Sequence, residues 1–171
     1  MYRARCSRAR LKIDTNDLFS GRTNRNICIM RGINPAKKYV NLGKITTGFG
    51  ERTEQEPVHP GIDIAAEEGT LIKTPVDGVV TRTDDSHTGI DNSFGNSLEL
   101  KDAEGKVHQF HHLQKTLAKP GQQVRKGQPV AALGATGAVY SPSNSNPANL
   151  DYRIVDSFNR YVNPTQYARQ L

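Results

Sequence analysis

The sequence predicts an all-β fold, mainly antiparallel and arranged as a sandwich or barrel-like domain, behind a basic N-terminal extension. From Ile45 onward, short apolar runs are interrupted at regular intervals by Gly, Asn and Asp, and short strands at such spacing are typical of sandwiches and barrels. The 171 residues include 15 Gly, 9 Pro and no Trp, a composition that suits strands and loops better than a helical bundle. This length fits one domain plus an extension.

Period-two alternation and flanking turn residues define the candidate strands. Asp77-Gly78, Ala103-Glu104-Gly105 and Pro120-Gly121 are typical turn sequences and separate several of the runs. Only the last segment, Pro164–Leu171, has a pattern that permits a helix. The six candidate strands are Leu71–Thr74, Gly78–Thr83, Ser97–Lys101, Val107–His112, Pro129–Leu133 and Leu150–Val155.

Charge divides the chain into a basic extension, residues 1–44, and a folded domain, residues 45–171. The extension has eleven Lys and Arg against two Asp, a net charge of +9, whereas the domain has twelve basic and fifteen acidic residues, a net charge of −3. A basic arm suits nucleic acid, anionic lipid or anionic cell-wall polymer, or is simply a solvated extension. No aromatic residues interleave its charges in a way that would stack on bases, so nucleic-acid binding is a remote alternative.

The N-terminal region gives little information about location. Cys6 and Cys28 both lie in the extension, where one disulfide and two free thiols are equal alternatives and the spacing fits no zinc finger. No apolar run approaches the ~20 residues that span a bilayer. The first ten residues are basic but lack the apolar core of a signal peptide. The protein is therefore cytoplasmic when made, exported by another route, or supplied after removal of a leader.

The segment His59-Pro60-Gly61-Ile62-Asp63 is the first candidate site. Proline and glycine oppose a helix here, and on a straight strand the two functional side chains would lie about 13 Å apart. A shared site therefore requires a bend, which we expect at Gly61 because glycine has no Cβ to resist it. A neutral imidazole beside a carboxylate suits a divalent metal, zinc first. The alternative is a surface loop with an incidental histidine.

A second cluster holds three of the five histidines, within Val107–Leu113. On a regular strand His108, Phe110 and His112 share one face and His111 lies on the other. A lone strand histidine is usually structural, but three within five residues are harder to explain in that way, so the cluster is a second candidate site.

The third candidate is the strand that begins at Asn149. Asn149 and Asp151 are two residues apart, so they project from the same face about 6.6 Å apart. Asp151 is therefore able to complete a three-ligand site with His59 and Asp63 and leave a position open for water. The alternative is that Asp151 pairs with Arg153 or a lysine as an ordinary strand-end carboxylate.

Residues 45–168 contain a series of short motifs. In chain order they are Thr46-Thr47-Gly48-Phe49-Gly50-Glu51-Arg52, His59-x-Gly61-x-Asp63-Ile64-Ala65-Ala66-x-x-Gly69-Thr70, Pro75-Val76-Asp77-Gly78-Val79-Val80, Gly95-Asn96, Phe110-His111-His112-Leu113, Gly121-x-x-Val124-x-x-Gly127-Gln128-x-Val130, Gly134-x-Thr136-Gly137 and Val162-Asn163-Pro164. Together these motifs resemble the lysostaphin/LytM family of zinc endopeptidases, which cut peptidoglycan cross-bridges and stem peptides. The resemblance implies the duplicated hybrid motif fold of that family. Residues 121–137 alone also resemble the glycine turns of biotinyl, lipoyl and phosphotransferase carrier domains.

Position by position, the resemblance makes His59 and Asp63 the first two zinc ligands and His112 a catalytic histidine beside the metal. The family normally supplies its third ligand and second catalytic histidine from a His-x-His motif followed by an aromatic residue, an acidic residue and Ile. Here both histidines are replaced, by Asn149 and Asp151. Asp151 is a sensible third ligand, although a second carboxylate weakens selectivity for Zn²⁺ over another divalent ion such as manganese or calcium. Asn149 exchanges no proton, but its amide is able to donate to a developing oxyanion.

The resemblance therefore implies a peptidoglycan-cleaving zinc metalloendopeptidase with a variant His/Asp/Asp metal site. The alternative is a catalytically degenerate module that binds cell wall or regulates another wall hydrolase. Peptidoglycan is the expected partner, together with an inhibitory or regulated protein partner in the alternative. The expected site of action is the periplasm, the extracellular space or the wall of a target cell.

Overall fold

The computed structural model describes residues 40–53, 56–89, 91, 93–139 and 148–171. The predictions for Cys6, Cys28 and most of the basic extension lie outside the described residues. The extension boundary at residue 44 and the domain that follows it also stay predictions. Among the residues described, no helix is long and apolar enough to cross a membrane.

The described residues form nine β-strands and one short helix. This arrangement confirms the predicted all-β class, because the single helix contributes four residues. In chain order the elements are β1 (Lys44–Thr47), β2 (Gly61–Ala65), β3 (Leu71–Lys73), β4 (Gly78–Asp84), β5 (Asn96–Asp102), β6 (Val107–Thr116), β7 (Gln123–Val124), β8 (Pro129–Leu133), β9 (Asn149–Val155) and α1 (Thr165–Ala168).

The main sheet has the strand order β1-β2-β9-β6-β5-β4-β7, and all of its described pairings are antiparallel. Strand β6 is the point at which the sheet divides. Its first half, 107–111, pairs with β9, whereas its second half, 113–116, pairs with β8. Strand β8 in turn pairs with β3. The central β2, β9 and β6 strands therefore meet one another close to this division.

Alternation along the strands gives the main sheet one apolar and one polar face. Ile62 and Ile64 of β2 and Leu150, Tyr152 and Ile154 of β9 are fully buried in the core. The residues between them, which include Asp63 and Asp151, project to the opposite face. That polar face is where all the candidate ligands on strands lie.

His108 belongs to the core and not to the site. Its Nε2 lies 3.3 Å from the Asp102 carboxylate and its Nδ1 lies 2.7 Å from the Tyr152 hydroxyl. Burial lowers the pKa of His108, so the ring is neutral, donates to Asp102 and accepts from Tyr152. A hydrogen-bonded histidine of this kind satisfies the buried phenol and has a structural role.

All six predicted strands are present, with ends that differ by up to four residues. The predicted helix is confirmed only over Thr165–Ala168. Strands β1, β2 and β7 were not predicted. The bend expected at Gly61 occurs at Pro60 instead, because Gly61 is already the first residue of β2.

Candidate metal centre

Strand register brings two of the predicted ligands face to face. Asp63 of β2 is the direct cross-strand partner of Asp151 of β9, and Asp151 is in turn the partner of His111 of β6. Directly opposed residues on one sheet face have Cβ atoms about 4.5–5.5 Å apart. Three adjacent strands therefore place a carboxylate, a carboxylate and an imidazole in one row across the polar face.

His59 joins this row from the loop that precedes β2. Its backbone N–H donates to the carbonyl of Glu51 and its carbonyl accepts from the N–H of Gly50, each at 2.8 Å. The loop at 48–51 thus fixes the backbone of His59. The side chain is 4% exposed, with Nε2 3.4 Å from Asp63 Oδ1 and 3.8 Å from Asp151 Oδ1.

Two charged residues that the sequence did not predict as site residues connect the ligands. Glu56 Oε2 accepts from His59 Nδ1 at 2.9 Å, while its Oε1 accepts from Arg153 Nη2 at 3.1 Å. Arg153 Nε lies 2.7 Å from Asp151 Oδ2 and its Nη2 lies 2.6 Å from the same oxygen. Glu56, His59, Asp151 and Arg153 therefore form a closed ring of charged groups. The Arg153 pairing was the alternative considered for Asp151, and it coexists with the ligand cluster.

The three carboxylates change the protonation of His59. Burial alone lowers the pKa of this imidazole, but the nearby Asp63 carboxylate, the hydrogen bond to Glu56 and the charge of Asp151 together raise it to about 9. The Asp63 contact is an ion pair at 3.4 Å, since His59 Nε2 forms no well-shaped hydrogen bond. Near neutral pH and without a metal, the ring is therefore protonated on both nitrogens and positively charged.

The pKa values of the two aspartates are shifted in opposite directions. Burial raises the pKa of Asp63, but contact with His59 and hydrogen bonds from Thr47 and Asn149 outweigh burial and lower it. Burial dominates at Asp151 and raises its pKa, although Arg153 opposes this effect. The site thus holds two carboxylates with different basicities.

The donor set fits a divalent metal. His59 Nε2 is buried and has no hydrogen-bond partner, and one ligand atom from each of His59, Asp63 and Asp151 lies within 4.8 Å of the others. Two ligands about 2.1 Å from a tetrahedral ion lie roughly 3.4 Å apart, close to the observed 3.4 and 3.8 Å. Glu56 on His59 Nδ1 leaves Nε2 as the metal-facing nitrogen, the usual arrangement for a ligating histidine.

A β-bulge in β6 determines where His112 lies. Phe110 pairs with Leu98 and Leu113 pairs with Asn96, so three residues of β6 advance against two of β5. Phe110 and Leu113 are both fully buried. His111 and His112 therefore share the position between them on the polar face. The prediction that His112 lies on the face of His108 is wrong for this reason, whereas His111 lies on the predicted face.

The bulge also selects the tautomer of His112. The residue has φ of 63°, and its Nδ1 lies 2.9 Å from the carbonyl oxygen of Thr136. Because a carbonyl only accepts, Nδ1 donates, and the neutral ring has its free electron pair on Nε2. A neutral His112 ring is therefore able to accept a proton at Nε2.

His111 differs chemically from its neighbour. Burial, with the positive charges of Arg153 and other cations, lowers its pKa to about 3, so the ring is neutral. It packs against the Phe94 ring at a centroid distance of 4.6 Å. Together with Arg153 and Phe94 it lines a cavity of about 350 Å³. His111 therefore forms part of the wall beside the ligand cluster.

Asn149 stands next to the ligands as predicted from its spacing. It is on the polar face two residues before Asp151, and its side chain hydrogen-bonds Asp63. Its buried Oδ1 has no hydrogen-bond partner. The ligand roles of His59, Asp63 and Asp151 and the catalytic roles of His112 and Asn149 stay predictions.

The sequence matches a known family over the residues that build this site. The model of Peptidase family M23 matches residues 57–164, so the chain belongs to that family. This confirms the resemblance to the zinc endopeptidases of the lysostaphin and LytM type. Members of the family are zinc peptidases that act on peptidoglycan.

The similar proteins include both enzymes and regulators. The peptidoglycan DD-endopeptidase ShyC of Vibrio cholerae is 31% identical over 108 residues, which are 60% of this chain and 24% of ShyC. The murein hydrolase activator EnvC of Escherichia coli is 32% identical over 95 residues, which are 56% of this chain and 22% of EnvC. The chain thus spans about a quarter of the length of these relatives.

A solved structure supports the same fold. A zinc-containing peptidase from Vibrio cholerae superimposes with a TM-score of 0.61 at 26% identity, over 75% of this chain and 38% of that protein. The fold of this chain is therefore similar to that of a zinc-containing peptidase.

Proposed function

We propose that this protein is a zinc-dependent endopeptidase that cleaves peptidoglycan, with His59, Asp63 and Asp151 as the metal ligands. The observation that carries the proposal is the buried Nε2 of His59, which has no hydrogen-bond partner and faces two carboxylate oxygens. Membership of Peptidase family M23 supports peptidoglycan as the substrate. The site of action is then the bacterial cell wall, in the periplasm or outside the cell.

The metal, when bound, polarises the scissile carbonyl and lowers the pKa of water. The protein's own groups supply the rest. His112 accepts a proton at Nε2, because Thr136 holds its Nδ1–H. The Asn149 amide donates a hydrogen bond to the developing oxyanion, but it transfers no proton. A single general base therefore serves a reaction for which the family pattern has two histidines, and we expect slow turnover.

The direct test measures release of soluble fragments from purified peptidoglycan by the zinc-loaded chain. We expect release by the wild type, and loss of release in His59→Ala, Asp63→Ala and Asp151→Ala, with loss of stoichiometric metal in the same variants. Glu68→Ala is the matched control, because Glu68 is exposed and outside the cluster. A wild type that holds one metal ion per chain but releases no fragment from any peptidoglycan tested would refute the enzyme proposal.

A second candidate function is a degenerate wall-binding module that regulates another hydrolase. Two points support it: the resemblance puts Asn149 where the family has its second catalytic histidine, and Asp151 is paired with Arg153. The similarity to EnvC, whose name describes a murein hydrolase activator, supports it as well. This function predicts sedimentation with intact sacculi and no soluble fragments at any metal concentration. It also predicts that Asp151→Ala leaves sacculus binding unchanged.

A further inference from the structure

We propose that Arg153 and Glu56 are positioning residues that make Asp151 a one-oxygen ligand and so keep the variant site selective for zinc over manganese. The inference rests on the proposed metal site and adds to it the determinant of metal choice. A His/Asp/Asp set by itself is rich in oxygen and suits harder ions. Arg153 counteracts this preference for harder ions by limiting the number of oxygens that Asp151 offers to the metal.

The two oxygens of Asp151 have different surroundings. Oδ2 accepts from both Nε and Nη2 of Arg153, at 2.7 and 2.6 Å. Oδ1 has the longer Nε contact, 3.0 Å, and is the oxygen that faces His59 Nε2 at 3.8 Å. The guanidinium therefore saturates one oxygen and directs the other toward the ligand cluster. An arginine fork is suited to this task, because its donors have a fixed planar geometry.

Arg153 is itself held in place on several sides. Its Nη2 donates to Glu56 Oε1 at 3.1 Å, and its guanidinium lies 4.8 Å from the centre of the Phe94 ring. Its side chain is nearly buried. Gly61 on the neighbouring strand leaves room for it, since a Cβ there would lie 2.7 Å from Arg153 Cγ. The guanidinium is thus fixed by packing and does not move freely at the surface.

Glu56 links this fork to the other end of the site. The same carboxylate accepts from His59 Nδ1 at 2.9 Å, so one residue orients both the imidazole ligand and the guanidinium that holds Asp151. In Glu56→Gln one amide oxygen remains for two donors, so at least one of these contacts is lost, although Arg153 keeps its bonds to Asp151. Glu56 is therefore expected to act in the same direction as Arg153 but more weakly.

The consequence concerns coordination number. Zinc in proteins prefers four ligands in a tetrahedron, whereas manganese prefers octahedral oxygen sites. With Oδ2 held, Asp151 offers one oxygen and favours the smaller coordination number. With Oδ2 free, Asp151 becomes able to bind through both oxygens. The ratio of the zinc affinity to the manganese affinity is the quantity that tests this inference, because loss of the Arg153 charge affects the binding of both divalent ions alike.

The test compares Zn²⁺ and Mn²⁺ dissociation constants by chelator competition, in the full chain and in Arg153→Gln, Arg153→Lys and Glu56→Gln. Groups that orient ligands typically change metal affinity about 10- to 100-fold, and we take this range as the scale by which the ratio of zinc to manganese affinity should fall in Arg153→Gln. Arg153→Lys retains the charge but lacks the fork, so it is expected to resemble Arg153→Gln. Arg160→Gln is the matched control, since it removes a surface ion pair with Asp156 and has no contact with the site.

The visible absorption of bound Co²⁺ gives a second readout that is independent of activity. Wild type is expected to show the intense bands of a tetrahedral ion, and Arg153→Gln the weaker bands of higher coordination. If Arg153→Gln does not fold, Glu56→Gln gives the same comparison. Unchanged selectivity and an unchanged cobalt spectrum in the variants would overturn the inference and leave the metal site intact. Wild type that binds neither zinc nor cobalt would overturn both the inference and the proposed function.

Discussion

The affinity for metal should depend steeply on pH, because a proton and the metal compete for His59 Nε2. In the metal-free chain the pKa of His59 is about 9: burial lowers it, but Asp63, Glu56 and Asp151 outweigh burial and raise it. A ligating imidazole must be neutral, so metal binding displaces this proton. Raising the pH from 7 to 9 tests this competition.

The size of the effect follows from the pKa. With a value of about 9, roughly 1% of His59 is neutral at pH 7 and about half is neutral at pH 9. The apparent affinity for zinc should therefore rise by about 50-fold across this interval, close to ten-fold per pH unit at its lower end. An ordinary histidine, with a pKa near 6.5, is mostly neutral at pH 7, and would give a rise of less than about two-fold.

Chelator competition at pH 7, 8 and 9, corrected for the hydrolysis of free zinc, measures the affinity. Calorimetry at pH 7 in buffers of different ionisation enthalpy should report the release of about one proton per bound ion. Glu56→Gln is the informative variant, because it replaces the carboxylate that accepts from His59 Nδ1 and raises the pKa of His59 with a neutral amide. The zinc affinity of this variant should rise less steeply with pH. An affinity that is flat between pH 7 and 9, without proton release, would refute this account of the site.

Four further outcomes are expected. The metal-free chain should lose about 3 kcal/mol of unfolding free energy as pH rises from 6.5 through 9, because the raised pKa of His59 stabilises the fold at lower pH and this contribution disappears as the ring loses its proton. Urea titrations of wild type and His59→Gln at several pH values measure this loss. Parallel pH profiles of the two proteins would contradict it. His112→Ala should release peptidoglycan fragments about 10²–10⁴-fold more slowly with unchanged zinc affinity, and loss of zinc would assign it a different role. Asn149→His should raise the rate of peptidoglycan fragment release by about 10²-fold or more, since it adds a group that transfers protons. An unchanged rate would contradict the assignment of Asn149 to the position of the second catalytic histidine. Gly61→Ala should cost about 1–3 kcal/mol in thermal unfolding, because its Cβ would lie 2.6 Å from a backbone oxygen of β9, whereas Gly89→Ala, with open space around it, should cost little.

The strands that alternate cleanly were predictable, and so was the face of each residue within them. The same-face relation of Asn149 and Asp151 follows from a period of two and holds in β9. Register between distant strands has no such local signal. The opposition of Asp63 and Asp151 depends on how β2 lies against β9, 88 residues later in the chain. Spacing made a shared site of these two residues possible and the family resemblance implied it, but neither indicated the register that places them opposite each other.

The bulge in β6 was beyond sequence reasoning because alternation contains no signal for an extra residue. The run from Phe110 to Leu113 can be read as one regular strand, which places His112 beside Phe110. A positive φ at a non-glycine residue is costly and persists only where surrounding contacts enforce it. Those contacts, from Thr136 and Phe94, come from other parts of the chain.

The two positioning residues differ in how far the sequence could predict them. Arg153 lies two residues after Asp151 on one strand face, so a pairing between them was already a sequence-based alternative. Glu56 lies three residues before His59 in a loop without periodicity, and nothing in the local pattern marks it. Its role depends on a contact with Arg153, 97 residues away.

The pairing of Asp151 with Arg153 and the binding of a metal at Asp151 do not exclude each other. With His59 neutral, the charges of Glu56, Asp63, Asp151 and Arg153 leave a net of −2 in a mostly buried space, and such a space stabilises a compensating cation. In the metal-free chain a proton on His59 supplies half of that compensation, which is why its pKa is raised. A divalent ion supplies all of it and displaces the proton. The steep pH dependence and the role of Arg153 in metal choice therefore follow from one property, a pocket whose charge balances when an ion of charge +2 is bound.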